Sequence, residues 1–244
     1  MLPASKPWPE DFPDIGWHVT VEAMHRHGDY AAAKSGDKLA AARMARDLVD
    51  PNKAAGLALN YPDCALVPVH AEEASGRNAI PVAFANLISN LTGLPLRADI
   101  VQANTRGATG QNALYRFAFR ARFDGQMPAG VQCILIDDLR SMGGTFSDMR
   151  NHIENSGASV RAMMTLAYDP RRAPDGQVRI ASTPERWQAL DQKFGLANLS
   201  NVLDGLNIYS DARALTAGEA RYLLDVWPTL DAFRAAVLAQ RLDR

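Results

Sequence analysis

Three short and largely apolar runs place the strongest constraint on how this 244-residue chain can fold: Cys64–Val69, Val131–Ile136 and Val160–Tyr168. Near-continuous apolar runs are typical of strands buried on both faces, because half-exposed strands alternate apolar and polar residues. Segments with apolar residues at helical spacing, around Ile80–Leu91 and Phe146–Ile153, follow the first two runs. This alternation predicts an α/β fold with a mostly parallel central sheet flanked by helices.

Helix signals near the end of the chain predict an added helical part. Thr183 followed by Pro184 is typical of a helix N-cap with proline at the first helical position. Thr216 and Glu219 have the spacing of a capping box. We therefore expect residues 183–244 to be helical, either as a cap on the sheet or as a small second lobe.

Local signals also predict the elements around the apolar runs. Four prolines in the first sixteen residues predict an irregular arm, and residues 30–49 have a helical composition closed by Asp50-Pro51. Residues 96–102 suggest another strand, and aromatic and Arg residues alternate at 115–123 as in a half-exposed strand. The expected organisation is an N-terminal arm and helix at 1–59, a core at 60–170 and a helical C-terminal extension or lobe at 171–244.

Composition excludes several classes of protein. The chain has 26 Lys and Arg against 27 Asp and Glu, whereas a protein that coats nucleic acid needs a strongly basic face, so nucleic acid is not an expected partner. No apolar stretch approaches the ~20 residues of a membrane span, and the N-terminus lacks the pattern of a secretory signal. Cys64 and Cys133 each lie in an apolar run, which indicates reduced core thiols and a cytoplasmic protein.

Two adjacent aspartates and a glycine turn follow the most strand-like run. Asp137 and Asp138 are expected at the carboxyl edge of the sheet, where open α/β folds bind ligands. Residues 141–145 then lead into a helix whose first N–H groups can accept a phosphate that glycines allow to approach closely. The acids can accept hydrogen bonds from vicinal sugar hydroxyls or hold a hydrated Mg²⁺. A phosphate beside a diol describes a ribose 5-phosphate.

The order of apolar strand, two acids, four residues and Gly-Gly-Thr resembles the ribose-phosphate signature of the type I phosphoribosyltransferases. The resemblance covers residues 60–170. It implies Mg²⁺-dependent transfer of a 5-phosphoribosyl group from phosphoribosyl pyrophosphate to a nucleobase or related nitrogenous acceptor, with release of pyrophosphate. In this interpretation Asp137 and Asp138 are the catalytic residues and bind the ribose diol and the water shell of Mg²⁺. The residues that hold the 5-phosphate would be Ser141, Met142, Gly143, Gly144 and Thr145.

The turn departs from the family pattern at one position. Met142 stands where a Thr is usual before the glycine pair, which removes one hydroxyl from the phosphate site. Ser141 stands where family members that act on 6-oxopurines carry an Asp, so the turn is closer to the adenine, orotate and competence-associated branches.

Two loops complete the site that the resemblance implies. The family's pyrophosphate loop follows its first core strand and here contains Ser75, Gly76 and Arg77. Arg77 could pair with an anionic leaving group, although a solvated loop side chain fits it equally well. The mobile hood of the family would include Arg106 and Gln111, in a segment similar to that of competence-associated phosphoribosyltransferase-like proteins, whose cysteine-rich zinc module is missing from this sequence.

Three functions stay open at this stage. Both acids are present, which favours an enzyme; Met142 and the lack of a recognisable base-binding motif favour a non-catalytic regulatory protein that binds phosphoribosyl pyrophosphate or a nucleotide. A plasmid- or phage-type accessory protein acting on an unusual substrate is the third. The sequence identifies neither the acceptor nor the oligomeric state, and the family's common dimeric state makes a homodimer one of the alternatives.

Overall fold

The central sheet is built from four parallel strands. The computed structural model describes residues 5–71, 78–104 and 112–242. The strands are β1 (Gly16–Thr20), β2 (Cys64–Pro68), β3 (Val101–Gln102), β4 (Phe123–Asp124), β5 (Gln132–Leu139) and β6 (Ser159–Tyr168). The main sheet has the order β1-β6-β5-β2, with every neighbouring pair parallel. Strands β3 and β4 form a separate antiparallel pair. The predicted α/β class and the three predicted core strands are confirmed.

Helices cover the sheet and make up the end of the chain. They are α1 (Val21–Arg26), α2 (Tyr30–Lys34), α3 (Lys38–Leu48), α4 (Pro51–Asn60), α5 (Ile80–Thr92), α6 (Ala113–Ala118), α7 (Gly144–Asn155), α8 (Pro184–Phe194), α9 (Leu196–Gly205), α10 (Ala217–Val226) and α11 (Leu230–Leu242). The predicted caps of α8 and α10 are confirmed, because Thr183 and Thr216 accept hydrogen bonds from the first turns of these helices. Among the helices in the described ranges, none has both the length and the apolar character needed to cross a bilayer.

Apolar side chains form three clusters. On one face of the sheet, Phe84 and Ile88 of α5 pack with Ile134 and other residues of β2, β5 and β6. On the opposite face, Phe146 and Met149 of α7 pack with the alternate residues of the same strands. The third cluster joins α8 to α11 with α6 and contains Met142 from the glycine turn. The helical C-terminal part therefore has its own core, which reaches the turn at the end of the sheet.

The sheet contains a switch point between β2 and β5. Helix α5, which follows β2, lies on one face, and α7, which follows β5, lies on the other. Because neighbouring connections diverge there, the carboxyl ends of the two strands leave a crevice, and open α/β sheets bind ligands at such places. Asp137 and Asp138 lie at this end of β5. They are the first and second residues after Ile136, which pairs with Pro68.

The prediction of a strand at residues 115–123 is wrong. Residues 113–118 form helix α6, and the only strand residue of that span is Phe123, the first of β4. Asn112 begins the helix by accepting a hydrogen bond from the N–H of Tyr115, and Phe117 is fully buried against α11. Alternating aromatic residues fit either conformation over so few residues, and packing against the C-terminal helices selects the helix.

The N-terminal third also differs from the prediction. Residues 5–15 are irregular as expected, but Gly16–Thr20 forms β1 and pairs with β6. The helix expected at 30–49 is divided into α2 and α3 at Gly36, whose φ of 108° is left-handed, and Asp37 caps the second helix. Helix α3 ends at Leu48, just before Asp50-Pro51 as expected, and Pro51 also begins the further helix α4, which was not predicted.

The strand suggested at 96–102 is reduced to Val101–Gln102. This short strand lies outside the main sheet. Leu96 forms an isolated parallel bridge with Leu66 of β2. The expected domain boundaries at 59/60 and 170/171 stay a prediction.

Candidate functional site

The two aspartates at the end of β5 have different environments. Asp138 is 5% exposed, and its Oδ2 accepts hydrogen bonds from Nζ of Lys34, at 2.5 Å, and from Nδ2 of Asn78, at 2.9 Å. Lys34 is the last residue of α2, so the N-terminal helices supply the counter-charge of this carboxylate. Burial acts to lower the pKa of Lys34, but the charge of Asp138 outweighs it and the pKa is raised. Two side-chain donors therefore hold the carboxyl group of Asp138 in place.

Asp137 is half-buried, and within residues 5–71, 78–104 and 112–242 it forms no ion pair of this kind. Its Oδ1 accepts the backbone N–H of Asp138 at 2.8 Å. Burial, and then the negative charge of Asp138, raises the pKa of Asp137 well above its usual range. It is the acid of the pair whose oxygens a ligand hydroxyl or a cation can engage, and a cation bound there would favour its ionised form.

The glycine turn before α7 is packed against the C-terminal helices. Gly143 has a φ of 96°, which favours glycine, and a Cβ there would lie 2.5 Å from Cδ1 of Ile180. A Cβ on Gly144 would lie 2.6 Å from Oε1 of Glu219. The side chain of Met142 is buried in the third apolar cluster, and its carbonyl accepts a hydrogen bond from Oγ1 of Thr216 at 2.6 Å. One side of the turn is therefore closed, and the side chain of Met142 brings no hydrogen-bond donor to a phosphate there.

A buried polar network fixes this contact. Arg120 donates to Oδ1 of Asp148 at 2.7 Å, to Oε1 of Glu219 at 2.5 Å, to the carbonyl of Gly144 at 3.2 Å and to the hydroxyl of Tyr209. Burial acts to lower the pKa of Arg120, but the neighbouring carboxylates outweigh it and hold the pKa well above the usual value. The network joins the first turns of α7 and α10 through one guanidinium group. The sequence analysis did not identify it, because its members are spread from residue 120 to residue 219.

Substitution of Gly218 tests how closely α10 approaches the turn. A Cβ at Gly218 would lie 2.6 Å from the carbonyl oxygen and 2.9 Å from Cα of Met142, and backbone atoms cannot move aside cheaply. We expect Gly218→Ala to lower the free energy of unfolding by about 1–3 kcal/mol in urea denaturation. Gly56→Ala, in α4 with no atom within 4 Å of the new Cβ, is the control and should raise it by about 0.5–1 kcal/mol. Equal effects of the two substitutions would contradict the close approach.

A cavity of about 680 Å³ opens beside the turn, between α6, the segment after β6, and helices α8 and α10. Ser141 and Met142 form part of its wall. Its charged lining consists of Arg116, Arg140, Arg172, Arg179, Arg186 and Arg221 together with Asp175 and Asp225. We call it the arginine cavity. No local motif points to this cavity, because its arginines come from five separate segments, and the only signal in the sequence is the excess of Arg over Lys.

Arg140 connects this cavity with the glycine turn. Its Nε would lie 3.4 Å from a Cβ on Gly143, is buried, and has no hydrogen-bond partner among residues 5–71, 78–104 and 112–242. Burial, and then the charge of Arg172, lowers the pKa of Arg140 to about 10. A guanidinium group in such surroundings lacks the acceptor that a buried donor normally has.

Five of the expected site residues lie outside the described residues. They are Ser75, Gly76 and Arg77 of the pyrophosphate loop and Arg106 and Gln111 of the hood. The first described residue after the pyrophosphate loop is Asn78, whose side chain contacts Asp138. The structure thus brings one neighbour of that loop to the acid pair, and the roles of the five residues stay predictions.

The acid pair fits a magnesium ion only when a ligand supplies further oxygens. In the part of the chain that the structure describes, no group of three His, Cys, Asp or Glu residues could hold a metal. Mg²⁺ commonly uses one or two carboxylates together with water and substrate phosphates. Asp137 fits this use, while Oδ2 of Asp138 already accepts hydrogen bonds from Lys34 and Asn78.

Comparisons with known proteins give partial similarities. No known protein family profile matches the chain. It is 32% identical over 237 residues to Protein TraN of Escherichia coli, a match that covers 96% of this chain and 51% of TraN. It is also 36% identical over 149 residues to an uncharacterized protein of Haemophilus influenzae (strain ATCC 51907 / DSM 11121 / KW20 / Rd), covering 60% of this chain and 33% of that protein. The chain thus spans about half the length of TraN and a third of the Haemophilus protein.

Solved structures similar to this chain include two phosphoribosyltransferase-type enzymes of Leishmania donovani. Adenine phosphoribosyltransferase matches with a TM-score of 0.34 and 18% identity, over 52% of this chain and 57% of the enzyme. UMP synthase matches with a TM-score of 0.33 and 16% identity, over 77% of this chain and 33% of the enzyme. These scores are too low to carry an argument about function, which must come from the site itself.

Proposed function

We propose that this chain binds phosphoribosyl pyrophosphate at the carboxyl edge of β5 and transfers its 5-phosphoribosyl group to a nitrogenous acceptor, releasing pyrophosphate. The observation that carries the proposal is the placement of Asp137 and Asp138 at the switch point of the parallel sheet, directly before a glycine turn that opens α7. A diol-binding pair and a phosphate-binding turn then lie at the two ends of one short loop.

Each part of the loop has a distinct role in this proposal. Asp137 accepts hydrogen bonds from the ribose hydroxyls, and Asp138, held by Lys34 and Asn78, keeps the loop in position. The backbone N–H groups of 141–145 receive the 5-phosphate from the side that α10 leaves open. A hydrated Mg²⁺ at Asp137 would supply positive charge to the departing pyrophosphate.

The reaction requires the protein to position the reacting atoms and to stabilise the charge that develops on them. The bond between the anomeric carbon and the pyrophosphate oxygen breaks, and its electron pair leaves with the pyrophosphate. The lone pair of the acceptor nitrogen forms the new bond to that carbon, and the proton of the acceptor passes to solvent. Because the sugar becomes cation-like as the leaving group departs, nearby carboxylates stabilise it and a fixed loop keeps the reacting atoms in line.

Two contacts favour a second candidate, a protein that binds phosphoribosyl pyrophosphate and regulates without turnover. The ammonium of Lys34 lies 2.5 Å from Oδ2 of Asp138, which leaves that atom less free for a metal shell. Met142 packs into the helical part and brings no hydroxyl to the turn. In this alternative the ligand would be held at the same place and released unchanged.

Calorimetry and pyrophosphate release together distinguish the candidates. We expect phosphoribosyl pyrophosphate with Mg²⁺ to bind, and pyrophosphate to appear when a panel of nucleobases is added. With Mg²⁺ present, whose charge favours the ionised form of Asp137, Asp137→Asn should weaken binding about tenfold or more, because hydrogen bonds to a charged acceptor are worth about 1.5–3 kcal/mol. Asp63→Asn, an exposed aspartate before β2 at the opposite end of the sheet, is the control and should bind normally.

Each result has one interpretation. Binding without pyrophosphate release with any base would support the regulatory candidate and contradict the transferase. Unchanged affinity in Asp137→Asn would contradict the assignment of the sugar site to this end of β5.

A further inference from the structure

We infer that the arginine cavity is a second ligand site, which adjoins the sugar site at Ser141 and Met142, and that it binds a nucleoside di- or triphosphate. Six arginines and two aspartates line a space of about 680 Å³, in a chain whose net charge is −1. Neither Asp137 nor Asp138 belongs to its lining. A concave site with this excess of guanidinium groups selects phosphate chemistry, since Arg binds phosphate through paired N–H donors.

The acids nearby do not balance this charge. Arg221 lies 3.5 Å from Asp225, while Arg172 and Arg179 make their contacts, at 3.6 and 3.9 Å, with Asp169 and Asp14 outside the lining. The arginines at the rim are thereby partly neutralised. Arg140 is more enclosed, and its Nε is buried without an acceptor among the described residues.

The environment of Arg186 indicates that clustering the arginines is unfavourable for the folded protein. It is half-buried on α8, and burial followed by the charge of Arg221 lowers its pKa. Like charges gathered in a partly buried space destabilise a fold unless a ligand neutralises them, and such groups therefore cluster at functional sites. An anionic ligand would relieve this repulsion.

The apolar part of the lining distinguishes a nucleotide from a bare phosphate chain. Tyr222, Val226, Ala113 and Met142 provide aromatic and aliphatic surface in the same cavity. Tyr222 is held against Phe117, with ring centroids 5.7 Å apart. A base can pack on this surface while its phosphates meet the guanidinium groups. A concave space with acids at its rim fits a small molecule better than a nucleic-acid strand, which needs a continuous basic face.

Calorimetry and thermal unfolding with ATP, without Mg²⁺ and without phosphoribosyl pyrophosphate, test the inference. We expect ATP to bind, to raise the unfolding temperature, and to bind more tightly than inorganic tripolyphosphate. Arg186→Met should weaken ATP binding about tenfold and Arg186→Lys less, while the unliganded Arg186→Met protein should be at least as stable as the parent. Arg46→Met, an exposed arginine of α3 outside the cavity, is the control and should change neither quantity.

Four outcomes would overturn the inference. The first is a failure of ATP to bind. The second is equal affinity for tripolyphosphate and ATP, which would remove the nucleoside from the assignment. A single-stranded oligonucleotide whose affinity grows with length would make the surface a nucleic-acid site. Displacement of ATP by saturating phosphoribosyl pyrophosphate would show that the two ligands occupy one site. Because ATP binding is measured without phosphoribosyl pyrophosphate, its success or failure is independent of the transferase proposal.

Discussion

Replacing Arg120 by Met is expected to lower the free energy of unfolding by about 3–5 kcal/mol, the range found when one partner of a buried ion pair is removed. Arg120 is the cation that faces both Asp148 and Glu219, and Glu219 is fully buried. Without it, two carboxylates would remain in the interior with fewer donors, and the hydroxyl of Tyr209 would lose one partner. Urea denaturation measures the loss.

The matched control for this substitution is Arg122→Met. Arg122 is exposed and lies two residues away, so the same change of side chain should alter the free energy of unfolding by less than about 0.5 kcal/mol. Adding Glu219→Gln to Arg120→Met should cost less than the sum of the single substitutions, because the two groups belong to one network. Additive effects, or equal losses for Arg120 and Arg122, would contradict the buried network.

Acidification should destabilise the protein through His18, by about 3 kcal/mol between pH 6.5 and pH 4. Burial, and then the charge of Lys53, lowers the pKa of His18 to about 4 in the folded protein, and Asp50 acts weakly in the opposite direction. The unfolded chain therefore binds a proton in this interval that the folded chain does not. The contribution is fully present above pH 6.5 and is lost as the pH falls towards 4.

The contacts of His18 explain why the neutral ring is favoured. Its Nδ1 accepts the backbone N–H of Asp50 at 2.9 Å, and its Nε2 lies 3.3 Å from Sδ of Met164. Protonation would place a charge in an apolar environment and remove the acceptor of the Asp50 N–H.

His18→Asn isolates this effect because it retains a side-chain acceptor without a group that titrates. Its free energy of unfolding, measured in urea at several pH values, should vary less between pH 4 and 6.5 than that of the parent protein. His25→Asn, at an exposed position on α1, should follow the parent curve. Parallel curves for the parent and His18→Asn would show that another group controls acid stability.

The path from β5 to α7 could be predicted because its signals are local. An apolar run indicates a buried strand, two aspartates follow it, and glycines precede a helix with Phe146, Met149 and Ile153 facing inward. These features depend on residues within about twenty positions of one another. The order of strand, aspartates, glycine turn and helix along the chain therefore determined where the acid pair would lie.

Strand β1 and helix α6 could not be predicted from local sequence signals. Gly16–Thr20 lacks a continuous apolar run and is half-buried at four of its five positions, so its place in the sheet depends on its pairing with β6. Residues 115–123 alternate like a strand, but contact with α11 makes residues 113–118 helical. In both segments a partner more than a hundred residues away decides the conformation.

The amino-acid sequence by itself determined the α/β class, the position of Asp137 and Asp138 at a strand end, and the glycine turn, because hydrophobic periodicity and backbone preferences act over short distances. Only the tertiary structure decided which aspartate Lys34 holds, how α10 closes one side of the turn, and that six arginines line one cavity. Those features depend on side chains from distant segments meeting in space, and charge and burial have no meaning for a group until its neighbours are known.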